Sequence, residues 1–119
     1  MRQREVNVTE ISDDYMRQMG AKTREYSCVI LKRTPRLEEP GADKIVWEHG
    51  RRNYALRAEG LLSIVCPIRD GSPLAGIAIF DADAEATRRI MEEDPGVKAG
   101  VLSYEVHTCR SFPGDQLPK

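Results

Sequence analysis

The amino-acid sequence predicts an α+β domain built in the order β-α-β-β-α-β. Three observations lead there. Four apolar runs of strand length recur along the chain, and two segments with helical character separate the first run from the second and the third from the fourth. Between the second and third runs lies an Asp-Gly pair, the chemistry of a hairpin turn. That order is the split βαβ, or ferredoxin-like, pattern, in which both helices cover one face of a four-stranded antiparallel sheet.

Each element has its own signals. YSCVILKR, residues 26–33, is apolar and β-branched and is closed by Thr-Pro. DKIVWEHGRRNYALRAEG is the first helix, with Asp43 expected as its N-cap and Gly60 as its stop. LLSIVCPI, residues 61–68, is the second strand; RDGSP turns the chain; LAGIAIFD, residues 74–81, returns as the third. DAEATRRIMEED is the second helix, capped by Asp81 or Asp83 and ended at Asp94-Pro95, because a residue before proline is pushed out of helical geometry. VLSYEVHTC, residues 101–109, is the fourth strand. The domain thus covers residues 26–110. Residues 1–25 read as an appendage with one short amphipathic stretch (Ile11, Tyr15, Met16, Met19) that docks on the domain or on a second subunit, and residues 111–119 as an irregular tail.

The strands do not alternate apolar with polar residues. Cys28 and Ile30 point one way and Val29 and Leu31 the other; Ala75, Ile77 and Ile79 oppose Ala78 and Phe80. A sheet apolar on both sides has to cover its second face, and no elements are left over to do so. A second copy, sheet against sheet, is the expected cover, which makes the protein a homodimer.

Composition narrows the function classes. With 119 residues, 40% hydrophobic, 31% charged and a net charge of −1, the chain suits one soluble domain and has no basic footprint for nucleic acid. No apolar run reaches the roughly 20 residues of a membrane span, and the first residues lack a signal-peptide core, so a cytoplasmic location is expected. The three cysteines, Cys28, Cys66 and Cys109, sit in strand-like runs without zinc spacing, and neither metal nor cofactor is expected.

Two ionisable residues stand on inward stripes. His49 falls with Ile45, Leu56 and Gly60 on the first helix, and Asp94 continues the stripe Thr87, Ile90 and Met91 of the second. Antiparallel helices bring the start of one beside the end of the other, so His49 and Asp94 are expected to be neighbours. A carboxylate beside an imidazole fixes its tautomer and frees the second ring nitrogen for acid/base work. The same pair also reads as a structural link between two helices.

Residues 26–109 resemble the YCII-related (YciI-like) family of small dimeric α+β proteins. The match rests on a His followed eleven residues later by Gly60, on the glycine-to-proline run from Gly60 to Pro67, and on DPGVKAGV (94–101), which is similar to the family's DP-x-V-x-A-G-V motif. The resemblance implies a dimeric α+β barrel with a His-Asp site at His49 and Asp94. Family members with assigned chemistry include a dehydrochlorinase acting on a chlorinated hydroxyquinol. The expected activity is therefore proton transfer or elimination on a small cyclic or aromatic-derived molecule; the alternative is a non-catalytic module that binds a small ligand.

Two departures from the family pattern bear on the site. Cys66 stands where the family usually has Gly, narrowing any space beside the second strand's end, and Asn53 stands where it tends to have Leu, adding an amide next to His49. Asn53 is thus a substrate-orienting candidate. Arg52 could meet an anionic substrate or be solvated, and Asp70, in the hairpin turn, could border the site. His107 with Glu105 reads as solvated surface, and DADAE as helix capping rather than a calcium loop.

Overall fold

The computed structural model describes residues 6–119; residues 1–5 of the expected appendage lie outside the described residues. The chain divides into two compact units, one of residues 25–110, the other joining the chain up to Arg24 with Ser111–Lys119. In the smaller unit, helix α1 (Asp13–Gly20) starts at Ser12, whose Oγ accepts a hydrogen bond from the Tyr15 N–H at 3.1 Å. Ile11, Tyr15 and Met16 are exposed.

The larger unit holds β1 (Arg24–Arg33), α2 (Ala42–Ala58), β2 (Leu62–Pro67), β3 (Leu74–Phe80), α3 (Ala84–Glu92), α4 (Pro95–Lys98) and β4 (Leu102–Ser111), with a 3-10 turn at Pro35–Glu38. The strands form one four-stranded antiparallel sheet in the order β2-β3-β1-β4. No helix of the described residues is long and apolar enough to cross a membrane.

Period-two geometry sends Ser27, Val29 and Leu31 of β1 to the same face as Ala78 and Phe80 of β3, and all five are buried. The core gathers on that face: Val29, Phe80 and Leu62 pack with Ala42, Met91, Val101 and Leu102, and with the partly buried Ile45 and Leu56 of α2. Its two buried hydroxyls are satisfied locally. Ser27 Oγ donates to the Ala82 carbonyl and Thr87 Oγ1 to the Asp83 carbonyl, each at 2.8 Å.

The register also defines the opposite face. A bulge between Leu62 and Ile64 switches the phase of β2, so Leu62 pairs with Phe80 but Ile64 pairs with Ile79. Two cross-strand rows result, Ile64–Ile79–Cys28 and Cys66–Ile77–Ile30, all half-buried and all outside the core cluster.

Several boundaries differ from the sequence reading. The first helix begins one residue before Asp43, with Gly41 at the N-cap position in left-handed geometry (φ 89°). Glycine reaches that region without steric cost, so the cap role falls to backbone shape, and Asp43 sits in the first turn where its charge complements the helix dipole. Gly60, at φ 79°, does follow the helix end. The β2–β3 connection is a six-residue loop rather than a two-residue turn, closed by Asp70 Oδ1 accepting from the Ser72 N–H at 3.0 Å. Of the two possible caps of α3, Asp83 takes the role: its Oδ1 accepts from the Ala86 N–H at 2.8 Å.

Among the described residues, all nine buried apolar residues of the core lie between Val29 and Leu102. A chain trimmed to residues 24–111 is therefore expected to keep a single cooperative thermal transition by circular dichroism. Loss of that transition would mean that the removed ends carry part of the core.

Candidate functional site

The site is built around the turn that starts at Asp94. Helix α3 ends at Glu92, and Asp94 takes extended geometry (φ −68°, ψ 132°), as a residue before proline must. Pro95 then opens α4 at its first position, where the missing N–H costs nothing. Asp94 is thus not the last turn of α3, as the sequence reading had it. Instead it caps α4: Oδ2 accepts from the N–H groups of Gly96 at 2.9 Å and Val97 at 3.2 Å.

The rest of DPGVKAGV holds this turn in place. A Cβ on Gly96 would come within 2.6 Å of Leu102 Cδ1 and 3.0 Å of Asp94 Oδ2, so only glycine fits there without displacing one or the other. Val97 and Ala99 pack against the core, Gly100 reverses the chain at φ 75°, and Val101 is buried at the head of β4. From the other side, Thr34 Oγ1 donates to the Gly100 carbonyl at 2.6 Å.

Helix α4 packs on α2, and this brings His49 to Asp94. His49 Nδ1 lies 2.7 Å from Asp94 Oδ1. The histidine is two turns inside α2 rather than near its start, and it reaches the carboxylate because Asp94 lies beyond α3. Asp94 is 1% exposed, and burial pushes its carboxyl pKa up. The hydrogen bond and charge of His49, with the Val97 and Gly96 N–H groups, outweigh burial and hold it below the usual value. An ionised carboxylate only accepts, so Nδ1 carries a proton and in the neutral ring Nε2 is the acceptor. Asn53 Nδ2 lies 3.4 Å from Nε2, one helical turn further along.

His49 is 13% exposed and lines a cavity of about 600 Å³ between α2 and the sheet. Asn53 and Gly50 line it from the helix, and Leu31, Val65, Ala75, Ile77 and Leu102 from the strands. Arg33 and Arg69 stand on its wall where β1 and β2 end, and Asp43 where α2 begins. The volume falls in the range of small-molecule sites.

The structure therefore brings together His49, Asp94 and Asn53, and it leaves the other two site candidates, Arg52 and Asp70, off the cavity wall. Arg52 does not line the cavity; its Nη1 lies 3.9 Å from Asp94 Oδ1, buried and without a hydrogen-bond partner. Asp70 is exposed and bonded to Ser72, although Ile68 and Arg69 just before it line the cavity. Cys66 does not line it either, although it pairs with Ile77, which does. His107 pairs with Glu105 at 3.0 Å on an exposed strand position.

Arg33 and Arg69 went unread in the sequence. Their signal was topological: in a β-α-β unit the ends of β1 and β2 fall at the same side of the sheet. Among the described residues no group of three or more His, Cys, Asp or Glu side chains could hold a metal ion. No protein-family model matches the chain, and a search of the curated proteins finds no match.

Two substitutions separate the jobs of Asp94. Asp94→Ala removes the cap and leaves His49 and Arg52 without their carboxylate, and is expected to cost about 3–5 kcal/mol in denaturant unfolding. Asp94→Asn keeps a capping oxygen and should cost less, about 1–2 kcal/mol. Its amide would, however, present N–H to Nδ1 and switch His49 to the Nε2–H tautomer, which ring ¹⁵N shifts report. Because the folded-state pKa of Asp94 is lowered, its ionised form stabilises the fold above the unfolded value of about 4, and this contribution is lost as pH falls further. The stability gap between wild type and Asp94→Asn should accordingly close below about pH 4. A gap constant into acid, or an unchanged tautomer, would contradict the pairing.

Proposed function

We propose that this protein is a small acid/base enzyme of the YciI-like type. In this reading His49 Nε2 takes or gives a proton, Asp94 orients the ring and stabilises the imidazolium, and Asn53 positions substrate in the cavity. The observation that carries the proposal is the asymmetry of His49. One nitrogen is fixed by a buried carboxylate, and the other faces an amide on the wall of a 600 Å³ cavity. A purely structural pair would have no need of the opening. Asn53 suits both protonation states, because its amide donates to neutral Nε2 and, turned over, accepts from Nε2–H.

The reaction class follows from the groups present: proton transfer at an acidic C–H, or elimination from a carbon next to one, on a small cyclic or aromatic-derived molecule. The mostly apolar walls favour a ring over a sugar-like substrate. The YciI-like assignment is supported by the way Pro95, Gly96 and Val97 of DPGVKAGV hold Asp94 against His49. Three free thiols suit a reducing, cytoplasmic setting.

The test is deuterium incorporation from D₂O into a panel of hydroxylated and chlorinated single-ring compounds. His49→Gln is expected to slow exchange by about 10²–10⁴-fold, and Asp94→Asn to slow it in the same direction. Exchange unaffected by His49→Gln would remove the histidine from the chemistry. Binding without any exchange would make the protein a ligand-binding module.

We further propose a ferredoxin-like dimeric α+β barrel, in which the two apolar rows of the second sheet face are covered by a second copy. Sedimentation at micromolar concentration should then give about twice the 13.4 kDa chain mass. A charge in the middle of the Ile64–Ile79–Cys28 row, Ile79→Glu, should give the monomer mass. A wild-type monomer would leave the second face to another partner.

A further inference from the structure

The cavity carries more positive charge than acid/base chemistry at His49 requires. Arg33 and Arg69 both line it, and among the described residues Asp43 is the one carboxylate that does, which leaves an excess of one positive charge on the walls. Arg33 Nη2 donates to the Ile68 carbonyl at 3.3 Å, so its guanidinium is held beside the residue that precedes Arg69. Neither arginine has a carboxylate in salt-bridge contact among the described residues; Asp70, exposed and held below the usual carboxylate range by its Ser72 hydrogen bonds and more weakly by the charge of Arg33, turns its Oδ1 to the Ser72 N–H. Both arginines are exposed, so an anion entering this end of the mostly apolar cavity would meet two guanidiniums.

Chain direction sets the distance from this end to the histidine. Helix α2 starts where β1 ends and runs back along the sheet, so Asp43 marks the arginine end and His49 lies six residues deeper. At helical rise that is about 9 Å, the length of one ring with a short acidic substituent. Val46 lines the path between the two ends, and beside His49 a Cβ on Gly50 would meet nothing within 4 Å.

The geometry points to a small organic anion as the molecule this cavity takes, a ring or short apolar body bearing one carboxylate. The carboxylate lies between Arg33 and Arg69, where planar guanidiniums donate paired hydrogen bonds to its two oxygens. The apolar body lies against Leu31 and Val65, and the carbon that exchanges its proton faces His49 Nε2. This deepens the acid/base reading and rests on it for the placement of the reacting carbon, but the anion anchor itself rests on the arginines alone.

The probes are benzoate and its neutral isostere benzamide, titrated into the full chain and followed by amide and histidine ring NMR shifts. Benzoate is expected to bind at least roughly tenfold more tightly than benzamide and to move the His49 ring and the Gly50 and Gly76 amides. Arg33→Gln with Arg69→Gln should erase that preference. Arg88→Gln with Arg89→Gln, which removes the same charge from the exposed face of α3, should retain it. Equal binding of the two probes to wild type, a preference that survives the Arg33/Arg69 change, benzoate shifts outside the cavity, or no benzoate binding at millimolar concentration would each overturn the anchor. Proton exchange in the His49→Gln chain is read separately. A benzoate preference lost with the two arginines, together with exchange indifferent to His49, would leave the anchor standing and remove the acid/base reading; the opposite pair of results would do the reverse.

Discussion

The fold turns on one buried carboxylate. Asp94 has its two oxygens divided between different tasks, Oδ2 on the N–H groups that open α4 and Oδ1 on His49 Nδ1, with Arg52 3.9 Å away. A charge 1% exposed survives only with such compensation. Those contacts tie α2 to the α4 turn, and the turn delivers the chain to β4 through Gly100 and Val101. Any change at Asp94 therefore acts on the packing of a helix and on the state of an imidazole together.

Most of the secondary structure was legible because the strands and helices here carry strong local signals. β1, β2, β3 and β4 fall within one or two residues of the apolar runs at their ends, since Thr-Pro, Gly60 and the Asp70-Gly71 turn punctuate them. α4 was not legible as a helix. Pro95-Gly96 reads as a breaker in sequence, and the four-residue turn exists only because Asp94 supplies the acceptor for its first N–H groups. Likewise Gly41 at φ 89° displaced Asp43 from the cap role, a backbone choice that composition does not reveal. Proximity of His49 and Asp94 was expected from inward stripes on antiparallel helices. The contact in the structure has a different route, through α4, so the two inward residues meet in a geometry that the helix stripes do not encode.

The cavity was hardest to foresee because its lining comes from six separate elements. Leu31, Val65, Ala75 and Leu102 belong to four strands, Leu37 to the 3-10 turn and His49 to α2. No short motif spans these positions. Only the β-α-β order, which sends the ends of β1 and β2 to one side, foretells that Arg33 and Arg69 converge. Arg52, by contrast, looked suited to a ligand because it sits three residues from His49. Three residues along a helix turn a side chain by about 300°, enough to carry it off the cavity and onto the Asp94 side.

The division of the Asp94 oxygens also decides where a proton can go. Two backbone N–H groups on Oδ2 stabilise the carboxylate as an anion and lower its affinity for a proton. When His49 gains a proton at Nε2, Nδ1 keeps its own, and the imidazolium is balanced by a carboxylate that remains charged. Transfer on to Asp94 would leave the Gly96 and Val97 N–H groups facing a neutral acid and weaken the start of α4. In the proposed acid/base role the helix cap would thus confine the mobile proton to Nε2, on the side of His49 that opens to the cavity. The residue that stabilises the turn is, by the same two hydrogen bonds, what would make the histidine rather than the aspartate the site of proton exchange.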